Sequence, residues 1–125
     1  MNLLDQIRAE QAATTAIRRD IHAHPELAFE EHRTAALVAE RLEALGIETH
    51  RGVGKTGVVG VLRAGTSKRA IGLRADMDAL PIQEKNDFTH HSRHPGKMHA
   101  CGHDGHVAML LAAAQHLAAT RDFDG

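Results

Sequence analysis

Met98-His-Ala-Cys-Gly-His-Asp-Gly-His106 runs straight into Val107-Ala-Met-Leu-Leu-Ala-Ala-Ala-Gln-His-Leu117, so a histidine-rich loop passes directly into an apolar stripe. Val107, Leu110, Leu111, Ala114 and Leu117 recur at helical spacing, and Asp104 stands where a capping carboxylate would meet the helix start. Upstream, Ile47–His50, Val58–Leu62 and Ala70–Leu73 read as short strands separated by the glycine-bearing segment Gly52–Gly57 and a polar turn over Gly65–Arg69. The last two read as neighbours in one sheet with an unprotected edge, which would favour association, and the last leads into Asp76. Two helices come earlier. Leu3, Leu4, Ile7, Ala13, Ile17 and Ile21 predict an amphipathic helix that His24-Pro25 ends, and a second runs from about Glu30 to Leu45 with Gly46 as its stop. This order of elements predicts an α/β layer structure, a mixed sheet flanked by helices, with ligand-binding groups in loops beyond the strand ends. The turn-like Arg121–Gly125 reads as leading into another strand, as in an interrupted domain.

The 125 residues suit a single small domain or part of one. A formal net charge of −1, without any lysine and arginine run, gives no field for following a phosphate backbone, so nucleic acid is not an expected partner. The single cysteine cannot form an internal disulfide, and Met1–Glu10 lacks the basic-then-apolar order of a signal peptide. A cytoplasmic location is therefore expected. No apolar stretch approaches the ~20 residues that cross a bilayer, and no membrane partner is expected.

Six of the eleven histidines fall between His90 and His106, around the only cysteine. Imidazole and thiolate are strong ligands for borderline-soft divalent cations. Cys101 and His103, two residues apart, point to the same side if the loop is extended and could then share a metal. The competing reading makes Cys101 a small buried residue and His103 a hydrogen-bonded loop side chain. Asp76-Met77-Asp78 follows an apolar strand, and its carboxylates could be metal ligands or could orient ligand histidines; alternatively one caps a turn and the other is solvated. His22 and His24 fit the C-terminal end of a helix dipole. His90, His91, His94 and His99 read as solvated loop residues, with His99 and His106 open to supporting or substrate contacts. Gly52–Gly60 imitates part of a phosphate loop but lacks its spacing and the helix that should follow.

Three ordered motifs, Arg18-Arg-Asp-Ile-His-Ala-His-Pro-Glu-Leu27, Arg74-Ala-Asp-Met-Asp-Ala-Leu-Pro-Ile82 and Met98–His106, closely resemble the metal-dependent aminoacylase/carboxypeptidase amidohydrolases, the group that contains hippurate hydrolase. The resemblance implies a zinc-peptidase-like catalytic α/β domain of which residues 1–125 form the N-terminal portion, with the remainder and a lid and dimerisation domain elsewhere. It implies Cys101 and His103 as metal ligands and Asp78 as the aspartate that orients the site, beside Asp76. Two divalent ions, chosen among manganese, zinc, cobalt and nickel, would serve the complete enzyme. A glutamate base and three further ligands, one glutamate and two histidines, have no counterpart in these 125 residues. The implied reaction is hydrolysis of the amide bond of an N-acyl amino acid or dipeptide by a homodimeric complete protein, with the 125-residue chain inactive alone.

Two other readings compete. Asp76 and Asp78 could be the carboxylate pair of a phosphotransferase or glycosyltransferase holding a metal-bound phosphate, which leaves Cys101-Gly-His103 unexplained. A non-catalytic truncated chain that binds metal weakly is the other.

Overall fold

The computed structural model describes residues 2–125. Its elements are α1 (Leu3–Ala9), α2 (Gln11–Ala23), α3 (His32–Ala44), β1 (Glu48–Val53), β2 (Gly57–Val61) and α4 (His103–Thr120). The first expected helix is two, divided at Glu10, whose N–H turns back to the Ile7 carbonyl at 3.1 Å. Leu3, Leu4 and Ile7 on α1 stay about half exposed, whereas the same stripe continued on α2 brings Ile21 to complete burial. Pro25 ends α2 as expected and is itself fully buried.

The second expected helix is α3, and its start is capped from outside. Glu26 accepts from the backbone N–H groups of Arg33 (2.8 Å) and Thr34 (2.7 Å) and from the Thr34 hydroxyl (2.6 Å), satisfying donors that a helix N-terminus otherwise leaves free. Gly46 follows with φ 72°, the left-handed conformation that suits glycine after a helix. The chain then forms the β1–β2 antiparallel hairpin, in register Glu48↔Val61 through Arg51↔Val58, with an irregularity between Arg51 and Val53. Gly57 is required there, because a Cβ would lie 2.3 Å from the Val53 carbonyl oxygen.

Ile21, Leu42, Ile47, Val107 and Leu111 form the buried cluster, joined by Ile17, Leu37, Val38, Val58, Leu62 and Ala114 among others. It lies where α2, α3 and α4 meet, with the hairpin against α3. None of the three phenylalanines belongs to it, so non-aromatic side chains build this core, whose apolar burial favours folding.

The mixed α/β class expected from the sequence is present, but one strand is not. Ala70–Leu73 forms no strand: Ile71 is 87% exposed and Leu73 57%. Alternating apolar residues make a strand only when a neighbouring backbone accepts their hydrogen bonds, and the one sheet among the described residues is the β1–β2 pair. The long connection from β2 to α4 is held instead by isolated bridges, parallel between Leu27 and Ala79 and antiparallel between Leu80 and Met98. These bridges carry the segment with Asp76 and Asp78 past the start of α4. Among the described residues, no helix is long and apolar enough to cross a membrane.

Candidate metal centre

The third expected helix begins earlier than its apolar stripe. α4 starts at His103 behind Gly102, which takes φ 115°, and therefore its first turn includes His103, Asp104 and His106. Asp104 is not the cap: it is 2% exposed, and its Oδ2 accepts from Arg18 Nη1 at 3.1 Å and from His22 Nδ1 at 2.8 Å. A carboxylate in the first turn favours the helix dipole in either position, and here interior partners hold it.

His103 sits against Asp78. Its Nδ1–H donates to both the Asp78 carbonyl and Asp78 Oδ1, each at 2.9 Å, which fixes ring orientation and tautomer. The opposite nitrogen, Nε2, lies 3.4 Å from Asp76 Oδ2. A bare lone pair facing a carboxylate is repulsive; a proton or a metal cation on that nitrogen reconciles the two. His106, three residues along α4, donates from Nδ1 to Asp76 Oδ1 at 2.6 Å, and its ring stacks at 5.3 Å on that of His103. That hydrogen bond is the main influence holding Asp76 below the usual carboxylate range, against a desolvation cost and with help from the charge of both histidines.

Asp76, His103 and His106 thus each offer a ligand atom, all within 4.8 Å of one another. Two imidazoles and a carboxylate form a donor set that suits zinc or manganese, and the Asp78–His103 hydrogen bond is the kind of support that ligand histidines usually have. The expected pair is therefore brought together only in part. His103 and Asp78 are in contact; Cys101 lies exposed on the loop just before α4, outside the three-residue group. Both aspartates of Asp76-Met-Asp78 are engaged by imidazoles.

His22 and His99 depart from their sequence reading. His22 is 6% exposed, with Nε2 3.1 Å from Glu84 Oε2 as well as Nδ1 on Asp104. It is an interior bridge at the end of α2, not a solvent-facing group there. His99 is 4% exposed, neither ring nitrogen has a hydrogen-bond partner, and burial pushes its pKa below the ordinary 6.5. Residue type and loop composition suggested solvation for His99, yet the Leu80–Met98 bridge draws the adjoining backbone inward. His91 and His94 are exposed, as expected. His106, open to a supporting contact from the sequence, is brought beside His103 by their i, i+3 spacing on α4.

Residues 72–125, which contain Asp76, Asp78, Cys101, His103 and His106, match the family described as Peptidase family M20/M25/M40. The chain is 51% identical to the hippurate hydrolase of Campylobacter jejuni, over 100% of its own length and 32% of the relative's. It is 48% identical to the N-acyl-L-amino acid amidohydrolase of Geobacillus stearothermophilus, over 96% of the chain and 32% of that protein. The Bacillus subtilis YxeP protein, described as a dinuclear metal-binding peptidase from the M20 family, superimposes with a TM-score of 0.86 at 39% identity, covering 91% of this chain and 32% of that one. The chain spans about a third of the length of these relatives. By sequence over residues 72–125 and by backbone over most of its length, this chain resembles members of the peptidase family M20/M25/M40.

Proposed function

We propose that residues 1–125 are the N-terminal portion of the catalytic domain of a metal-dependent amidohydrolase acting on the amide bond of N-acyl amino acids or dipeptides. The observation that carries this reading is the Asp78–His103–Asp76 alignment, with His103 Nδ1 anchored at 2.9 Å and Nε2 turned toward a second carboxylate at 3.4 Å. The relatives named hippurate hydrolase and N-acyl-L-amino acid amidohydrolase supply the substrate class.

In this reading His103 and Cys101 are metal ligands, Asp78 orients His103, and Asp76 and His106 complete the polar wall of the site. The exposed thiol of Cys101 lies two residues from His103, close enough in sequence to add a soft ligand to the imidazole. The complete enzyme holds two divalent ions among manganese, zinc, cobalt and nickel, works in the cytoplasm and is a homodimer with a separate lid domain. When bound, such ions supply electrophilic polarisation of the amide carbonyl. The chain's own contribution is to fix an imidazole and hold the Asp76 carboxylate ionised beside it. The glutamate base belongs to the rest of the protein.

The test is an amine-release assay on hippurate with added manganese. The 125-residue chain is expected to show no turnover, because a positioned base alone contributes about 10²–10⁴-fold. A longer protein that includes the glutamate and remaining ligands is expected to turn over and to lose activity on His103→Ala. Failure of that longer protein on every N-acyl amino acid would refute the substrate class.

A further inference from the structure

A deeply buried polar assembly adjoins the candidate metal centre through Asp104, the neighbour of His103. His22, on the last turn of α2, spans two carboxylates: Nδ1 is 2.8 Å from Asp104 Oδ2, and Nε2 is 3.2 and 3.1 Å from Glu84 Oε1 and Oε2. The side chains of His22, Asp104 and Glu84 are only 7%, 4% and 2% exposed. Only a ring with hydrogen on both nitrogens donates to both carboxylates. Arg18, one turn earlier on α2, adds a second donor to Asp104 Oδ2 at 3.1 Å. Glu84 is held in turn by Asn86 Nδ2 at 2.9 Å and the Ser92 N–H at 2.7 Å. Three separate parts of the chain, α2, the 84–92 loop and the first turn of α4, are therefore locked together through one imidazole.

Asp104 is the residue immediately after His103. Any rotation of the first turn of α4 that loosened Asp104 would carry His103 and His106 away from Asp78 and Asp76, since a helix turns as a unit over i to i+3. A buried, paired network has a single satisfied arrangement, and partial satisfaction is costly, so it sets geometry more sharply than apolar packing does.

We infer that His22 is a positioning residue for the metal centre: its bridge from Glu84 to Asp104 sets the rotation of the first turn of α4 and thereby the aim of His103 and His106. This inference rests on the metal-centre reading above. It is tested on the 125-residue chain by zinc titration calorimetry, together with the imidazole ¹⁵N resonances of His103 and His106 without metal. His22→Gln keeps a donor for one carboxylate and loses the bridge. It is expected to lower zinc affinity by about tenfold or more, the range seen when outer partners of ligand histidines are lost, and to shift both resonances. Thr34→Val, which breaks the half-buried Thr34–Glu26 hydrogen bond at 2.6 Å, controls for loss of stability and is expected to leave affinity and resonances at wild-type values. Should His22→Gln fail to fold, Glu84→Gln, which retains an acceptor for Nε2, is expected to move the same resonances in the same direction by less. Wild-type affinity and unmoved resonances in whichever of these two variants folds would overturn the inference. If the unaltered chain binds no zinc, the metal-centre reading fails, and the resonances alone decide whether His22 positions the turn.

Discussion

His103 Nδ1 is locked onto Asp78 by two 2.9 Å contacts, one to the carboxylate and one to the carbonyl of the same residue, which leaves Nε2 as the nitrogen free for chemistry. One residue thus sets both the tautomer and the tilt of the ring. This is the contact through which a loop without regular secondary structure is tied to the first residue of a helix.

Replacing Asp78 by Ala should therefore weaken metal binding with little effect on folding. The Asp78 side chain is 35% exposed, so its loss opens no interior cavity. Zinc affinity measured by calorimetry is expected to fall about 10–100-fold, with a thermal midpoint close to that of the unaltered chain.

Glu26→Ala should act in the opposite way. Its carboxylate caps α3 through Arg33 and Thr34 and is not among the groups gathered at the metal centre. Loss of such a cap costs about 1–2 kcal/mol, readable as a lower urea midpoint at unchanged zinc affinity.

His99→Leu is expected to raise stability. Both ring nitrogens are buried without a partner, and an unsatisfied polar group costs about 1–3 kcal/mol in the interior. A side chain of similar volume without polar atoms removes that cost, so the urea midpoint should rise. A fall would show that a water or another group satisfies the imidazole.

The three helical regions and the glycine turn of the hairpin could be read locally, because α3 and Gly46, or Gly52–Gly57, declare themselves within a few residues. The strand expected at Ala70–Leu73 depends on a partner that local pattern does not reveal, and among the described residues it has none. The bridge through His22 joins residues 82 and 62 positions apart in sequence, so periodicity offered only a helix-end role for His22 and a cap role for Asp104. The pairing of Asp78 with His103 came from motif order, and its physical basis appeared only once α4 was seen to start at His103. The early start of α4 likewise turns the supporting contact left open for His106 into a hydrogen bond to Asp76.

Glu84 gives the molecule a measurable acid sensitivity. Burial opposes its charge, but hydrogen bonds from Asn86, His22 and the Ser92 N–H prevail and hold its pKa below the ordinary 4.5. A carboxyl whose folded pKa lies below its unfolded value binds fewer protons when folded. Its stabilising contribution is complete above about pH 4.5 and is lost as pH falls through the lowered value. Urea midpoints measured from pH 6 down to pH 3 should decline in the unaltered chain, and less steeply in Glu84→Gln.

The central claim is that His103, supported by Asp78, binds a divalent cation together with Cys101, and X-ray absorption at the zinc edge on the zinc-loaded chain tests it most directly. Imidazole scattering with Zn–N near 2.0–2.1 Å and a sulfur shell at about 2.3 Å are expected. The imidazole signal should fall in His103→Ala and the sulfur shell should vanish in Cys101→Ser. Spectra showing oxygen ligands alone, or the same spectrum in all three proteins, would contradict the account.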